Sequence, residues 1–381
     1  MAGGGGARYL RPVARKAAPP PSPAPAEEGA NPFVDPPLAG ARDALANDAA
    51  ALDRSLRPSA FPDFVGQQGC VENLVLAIRA AKARGETLDH VLLSGLPGLG
   101  KTTLAHLVAS ELGAGLKETS APALQRAADL AGLLTNLEPG DVLFIDEIHR
   151  LPSSVEEYLY AAMERFVIDV VIDQGPGARS LRIDLPRFTL VGATTREGLL
   201  AAPFRSRFGL TERLEPYPPA DLVRILLRSA GVLGVGLEPD AAAYLAERAR
   251  GTPRVANRFL KRVRDLAQVT AGNRISRDVA IEGLRRLGVD ARGLMRVDRL
   301  VLEVLVRADG IPVGLKTIAA AVGEDERTIE DVYEPHLLRC GLMMRSPQGR
   351  RATPGAYAAL GLAAPRSPRE GTLPFDGPPT D

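Results

Sequence analysis

The residues Gly95-Leu96-Pro97-Gly98-Leu99-Gly100-Lys101-Thr102 match the pattern GxxxxGK[ST], and the apolar run Val142-Leu143-Phe144-Ile145 further on ends in Asp146-Glu147. This pair of strings constrains the fold more than any other feature. Glycines let successive backbone N–H groups point into one concavity and surround a polyphosphate. Lys101 would reach the β- and γ-phosphates, Thr102 would offer a hydroxyl to Mg²⁺, and a helix starting near Lys101 would turn its positive end to the anion. The motif needs a strand before it and a helix after it, and the sequence supplies both: His90 to Ser94 is a short apolar run, and Thr102 to Leu112 repeats apolar residues at helical spacing. Asp146 would hold Mg²⁺ through water, and Glu147 would polarise the attacking water. The expected chemistry is binding and hydrolysis of a nucleoside triphosphate. No Asn-Lys-x-Asp string, of the kind that reads guanine, is present.

A chain of 381 residues, 45% of them apolar, can build two or three cores. The net charge of +1 means that contact with nucleic acid must come from local patches. Cys70 and Cys340 stand far apart without metal-ligand spacing, so both are expected to be reduced core thiols of a cytoplasmic protein. No apolar stretch is long enough for a membrane span, and no apolar core follows Arg8, Arg11, Arg15 and Lys16 to make a signal peptide.

Residues 1–50 are rich in Gly, Ala and Pro, and 363–381 are similar, so both are expected to be disordered tails. Between them, 51–216 alternates helix and strand, with strands near 91–94, 116–119, 142–146 and 188–193. This predicts an α/β domain with a parallel sheet, helices on both faces and the ligand at the strands' C-terminal ends. Within it, 168–184 alternates with period two around Gln174-Gly175-Pro176-Gly177 and reads as a β-hairpin, either a structural ribbon or a protruding contact element. Residues 217–290 carry only helical patterns, at Asp221 to Leu233, Asp240 to Arg250, Val255 to Thr270 and Ser276 to Leu287, and predict a small all-helical domain. In 291–362 three short helical patterns precede an alternating segment that turns at Pro347-Gln348-Gly349, the order of a winged helix.

Phosphoryl transfer depends on electrostatic stabilisation, so cations and small polar groups near the loop are candidates. Thr195, after the apolar strand that ends at Gly192-Ala193-Thr194, could orient water. Arg205 and Arg207 stand at a helix end, and Arg254 opens a helix of the second domain. Between Pro335 and Arg369 lie six arginines, Arg345 and Arg350 among them, and no acid. Such a patch would neutralise phosphates without reading sequence.

The order of phosphate loop, carboxylate strand, Thr195, Arg207 and Arg254 resembles the AAA+ ATPases: Walker A, Walker B, sensor 1, arginine finger and a sensor 2 on a helical lid. More closely, residues 55–361 resemble the RuvB family of ATP-driven motors for Holliday-junction branch migration. The strings that carry this are Leu56-Arg57-Pro58, Phe64-Val65-Gly66-Gln67, Gly98 to Thr103, Leu134 to Pro139, Asp146 to Leu151, Gly192 to Arg196, Arg205 to Gly209, Arg250 to Asn257 and Pro312 to Leu315. The resemblance implies a homohexameric ring around double-stranded DNA at four-way junctions, fuelled by ATP with Mg²⁺, in recombination and DNA repair. It puts Leu56 and Arg57 by the adenine, Gly98, Gly100, Lys101, Thr102 and Thr103 on phosphates and metal, and Glu164, Arg165 and Phe166 near the nucleotide. Tyr217 and Arg254 would complete the site from the lid, and Arg207 would enter a neighbour's site. Arg345 and Arg350 match wing positions that contact DNA, and the 168–184 hairpin would dock RuvA, with RuvC as a further partner.

The sequence departs from the family pattern at Phe64, Leu96-Pro97, Arg165 and Glu326, and none of these removes a catalytic group. Two alternatives to the translocase remain open from the residues: a clamp-loader-like or remodelling ATPase acting on proteins, and a nucleotide-switched regulator that binds DNA without translocating.

Overall fold

The computed structural model describes residues Met1, Leu52, 54–171 and 180–364. Apart from Met1, Ala363 and Ala364, the expected tails lie outside the described residues, as does the turn at Gln174-Gly175-Pro176-Gly177. Strands β1 (Val91–Ser94), β2 (Leu116–Ser120), β3 (Val142–Asp146), β6 (Thr189–Thr194) and β7 (Leu210–Arg213) form a parallel sheet in the order β2-β3-β6-β1-β7. The central strands are buried on both faces, as their mainly apolar runs require, and the edge strands β2 and β7 mix half-buried and exposed residues. Between β3 and β6, β4 (Val167–Val171) and β5 (Ser180–Asp184) pair antiparallel, Val167 facing Asp184, as the expected hairpin.

One face of the sheet packs under the helices Gln68–Arg84 and Lys101–Leu112. Their core runs without a break through Leu214 and Tyr217 into the helices Pro219–Val232, Pro239–Arg248, Pro253–Thr270 and Arg277–Arg286. The other face is covered by Ala127–Leu134 and Ser153–Arg165. Residues beyond Leu294 have a core of their own, with Val301, Leu302, Leu305, Ile318, Ile329, Leu337 and Met343. There the helices Arg296–Arg307 and Leu315–Val322 lead into the turn Glu326–Thr328, a π-helical turn Ile329–Tyr333 and the helix Glu334–Arg339. The strands Met343–Ser346 and Gly349–Ala352 then pair antiparallel.

The wing gains a third segment that the sequence did not disclose, because Val313 and Arg350 exchange backbone hydrogen bonds of 2.8 Å each. Gly349 makes this possible: its φ is +144°, and a Cβ there would lie 2.5 Å from the Val313 carbonyl oxygen. No helix among the described residues is long and apolar enough to cross a membrane. Cys70 is buried, and burial pushes its thiol up to about 12. Cys340 is exposed, with its sulfur 3.7 Å from His336 Nδ1, which corrects the expectation of two core thiols. It caps the C-terminal end of the helix Glu334–Arg339.

Candidate functional site

The phosphate loop joins β1 to the helix Lys101–Leu112, with Gly95, Gly98 and Gly100 at φ +139°, +80° and +110°. These angles aim the loop's N–H groups into one hollow. Lys101 is 7% exposed, and its ammonium donates to the carbonyls of Gly95 at 2.7 Å and Leu96 at 3.1 Å. Burial lowers its pKa, while Glu147 and Asp146 act in the opposite direction. The loop is thus built around a cation whose hydrogen-bond partners are neutral carbonyls, an arrangement that fits an anionic polyphosphate. Thr102 and Thr103 follow on the first turn of the helix.

The lid meets the loop closely. Arg254 N donates to Gly98 O at 3.4 Å, and a Cβ on Gly98 would lie 2.8 Å from the Arg254 Cβ. Arg254 stands on the first turn of Pro253–Thr270, so the start of that helix is held against the phosphate loop. Tyr217, buried under the loop, donates its hydroxyl to Leu99 O at 3.2 Å, and burial raises its pKa. On the expected adenine side, Arg228 of the lid donates to the carbonyls of Leu56 at 3.4 Å and Arg57 at 3.0 Å. Gln67 clamps Glu215 through both ends of its amide, at 2.6 and 3.1 Å.

The carboxylates lie at the C-terminal end of β3. Asp146 Oδ1 accepts from Glu147 N at 3.0 Å, and Glu147 adopts a left-handed φ of +51°. Thr195, just past β6, donates its hydroxyl to Glu147 Oε2 at 3.1 Å. His149 Nδ1 lies 3.3 Å from the same oxygen and 2.9 Å from Thr194 Oγ1, and burial lowers its pKa. Glu147, His149 and Thr195 line a cleft of about 480 Å³ together with Pro97, Arg150, Arg196 and Arg327.

The sheet separates other predicted residues from this cleft. Arg207 lies three residues before β7, whose first residue Leu210 pairs with the first residue of β1, so it sits at the end of the strands opposite the phosphate loop. There it donates to the Tyr160 hydroxyl and reaches Glu164 Oε2 at 3.4 Å, with its guanidinium 4.3 Å from the centre of the Tyr160 ring. Glu164, Phe166 and Arg207 line one recess of about 700 Å³ with Asp89 and His90 at the start of β1. Glu164, Arg165 and Phe166 close the helix Ser153–Arg165 at this end. The expectation that they lie near the nucleotide therefore does not hold for this chain's own phosphate loop: a parallel sheet puts its strand starts and strand ends on opposite edges.

The wing differs from a free basic patch. Glu334, with a fully buried side chain, accepts from Arg345 and takes two bonds from Arg350, at 3.0 and 3.2 Å. Burial raises the Glu334 carboxyl, yet the two guanidinia outweigh it and hold it below the usual range. The acid stands one residue before the acid-free window read from the sequence. The Arg350 side chain is 17% exposed against 51% for Arg345, so Arg345 presents more of its charge to solvent.

Four groups at the site were missed. His149 lies inside the Asp146 to Leu151 string, and Arg196 ends the Gly192 to Arg196 string, so both were within view. Arg228 and Glu334 carry no local signal, because their partners are distant or outside the motif.

Family models match the chain along its length: a Holliday junction DNA helicase RuvB P-loop domain at 56–214, a RuvB AAA lid domain at 217–290 and a RuvB C-terminal winged helix domain at 291–361. The solved Thermotoga maritima RuvB Holliday junction branch migration motor is 47% identical, with a TM-score of 0.75 over 82% of this chain and 100% of that one. A point mutant of Thermotoga maritima RuvB is likewise 47% identical, with a TM-score of 0.76 over 81% of this chain and 100% of that one. With its P-loop AAA+ ATPase domain, helical lid and winged helix, the chain belongs to the RuvB family of Holliday-junction branch-migration motors.

Proposed function

We propose that the chain works as a homohexameric ring that hydrolyses ATP to move double-stranded DNA through four-way junctions, in company with RuvA. The observation that carries this reading is the split of the candidate site between two ends of one sheet. Lys101, Glu147, Thr195 and Arg254 gather at the strand ends, and Arg207 lies with Glu164 at the strand starts. An arginine on the far edge serves catalysis only in a second subunit, whose phosphate loop faces that edge. In a ring each subunit gives Arg207, with Glu164, Arg165 and Phe166 beside it, to its neighbour's nucleotide.

At each site Leu56 and Arg57 hold the adenine side, kept in place by Arg228, and Tyr217 supports the loop from below. Gly98, Gly100, Lys101 and Thr103 bind the phosphates. Thr102 and Asp146 form an all-oxygen donor set suited to Mg²⁺, which when bound neutralises charge on the β- and γ-phosphates. Glu147 accepts a proton from the attacking water, and Thr195 keeps its carboxylate oriented. Arg254 carries the nucleotide state to the lid.

Arg345 and Arg350 face the DNA backbone, oriented by Glu334. The β4–β5 hairpin offers the half-exposed Leu181 as an apolar contact for RuvA. RuvC joins the same junction, and the work on DNA places the assembly in the cytoplasm. The test is movement of a synthetic four-way junction by the purified protein with RuvA, ATP and Mg²⁺. Migration that depends on all three supports the reading; a static junction with intact ATP hydrolysis overturns it.

A further inference from the structure

A ladder of charged contacts connects Glu147 to the wing, through residues to which the preceding reading gives no part. Arg196 follows Thr195, whose hydroxyl holds Glu147, and its own N–H donates to Thr194 Oγ1 at 3.0 Å. The Arg196 side chain leaves the ATPase domain and enters the π-helical turn Ile329–Tyr333. It donates there to Asp331 at 2.6 and 2.9 Å and to Glu330 at 2.8 Å. These bonds hold the guanidinium charged more firmly than usual. Glu330 in turn lies 3.8 Å from Arg345 Nη2 and 4.0 Å from Arg350 Nη2.

Pairs of unequal strength make this arrangement responsive. Glu334 is buried, and removing both of its partners would leave an uncompensated charge, so those bonds persist. The long contacts to Glu330 are the ones a DNA phosphate can displace, because Arg345 keeps Nε on Glu334 and is half exposed. Once the outer guanidinia turn to phosphate, Glu330 has Arg196 alone. A π-helical turn has one residue more than the helix would hold, and such turns recur at functional sites as places where backbone shifts.

We propose that Arg196, gripped by Glu330 and Asp331, is a positioning residue that reports DNA on the wing to Glu147 through Thr195. The inference rests on the reading that the wing binds DNA. Duplex binding at Arg345 and Arg350 tightens Glu330 on Arg196, and the shift of the Thr195–Arg196 segment aims Glu147, still held by Thr195, at the water.

The test is steady-state ATP hydrolysis by the full chain with and without random-sequence duplex DNA. In the Glu330→Gln, Asp331→Asn double variant the ratio of the two kcat values should fall about fivefold or vanish, as expected for a coupling of ordinary size. The KM for ATP should stay near wild type, and duplex binding measured with a non-hydrolysable ATP analogue should be retained or tightened, since Glu330 no longer competes for Arg345 and Arg350. Arg196→Lys, which keeps a charge for the carboxylates, should retain most of the response, and Arg196→Gln should lose it. A double variant that responds to DNA like wild type overturns the inference. So does a wild-type protein that binds duplex without faster hydrolysis, although the wing's DNA binding then stands. A wild-type protein that binds no duplex overturns both.

Discussion

Thr195 and Glu147 meet across two strands of the sheet, hydroxyl to carboxylate at 3.1 Å, and the same carboxylate oxygen lies 3.3 Å from His149. The glutamate is thereby held away from free rotation, on a backbone already in the left-handed region. A general base gains from such restraint only if the restraint favours the reactive orientation. Glu147→Gln keeps the shape and the Thr195 contact but removes the base. It should bind ATP as wild type does and hydrolyse it roughly 10²- to 10⁴-fold more slowly. Equilibrium nucleotide binding beside single-turnover hydrolysis checks this, and wild-type hydrolysis would remove Glu147 from its role.

Lys101 sits among neutral carbonyls, so its charge has no fixed counter-ion within the loop. The nucleotide's phosphates supply one. Lys101→Ala should weaken ATP binding by about 1.5–3 kcal/mol, the usual worth of hydrogen bonds to a charged group, or roughly 10- to 150-fold in Kd. Titration calorimetry of the folded variant reads this directly.

Arg207 lies on the sheet edge opposite its own phosphate loop, so in the proposed ring its loss is a defect of the neighbour's site. Arg207→Ala should lower kcat by about 10³ to 10⁵ while each subunit still binds nucleotide. Mixing the variant into wild type should then lower activity more steeply than simple dilution. Activity strictly proportional to the wild-type fraction would show that each subunit completes its own site.

Much of this was legible in the sequence, for reasons that can be named. The strands β1, β3 and β6 are buried on both faces, and such strands are mainly apolar. Strand β7 has no sequence signature, because Leu210, Thr211, Glu212 and Arg213 form an edge strand, half exposed and without an apolar run. The lid helices follow their apolar patterns but begin earlier than those patterns suggest, at Pro219, Pro239 and Pro253. Proline tolerates the first turn of a helix yet reads as a breaker. The phosphate loop and its carboxylates were legible because their chemistry depends on short-range spacing. Glu334 beneath Arg345 and Arg350, and Arg228 on the Leu56 and Arg57 carbonyls, come from tertiary contacts that no local pattern encodes.

The Glu334 pairing also changes what the wing should do in solution. Replacing Arg345 and Arg350 together with Ala removes two phosphate contacts and should lower the slope of log affinity against log salt by about 1.8, at about 0.9 per contact. The same change strands Glu334 in the core and should destabilise the winged helix by about 3–5 kcal/mol. Adding Glu334→Gln should recover part of that stability without restoring DNA affinity. Salt titrations of duplex binding and thermal melts of both variants separate the two effects.

His336 is 7% exposed beside Arg250 and Arg339, and burial together with these cations pushes its pKa down to about 3. In the unfolded chain an imidazole titrates near 6.5, so below that pH the unfolded state binds a proton that the folded state refuses. Stability therefore falls as pH drops from about 6.5 toward 3, by up to about 1.4 kcal/mol per pH unit from this residue. His90 and His149 are also lowered and add to the same trend. His336→Leu should flatten the curve between pH 6 and pH 4 without abolishing it. Urea unfolding at several pH values reads the slope, and a variant whose stability declines as steeply as wild type would show that His336 takes up its proton in the folded protein.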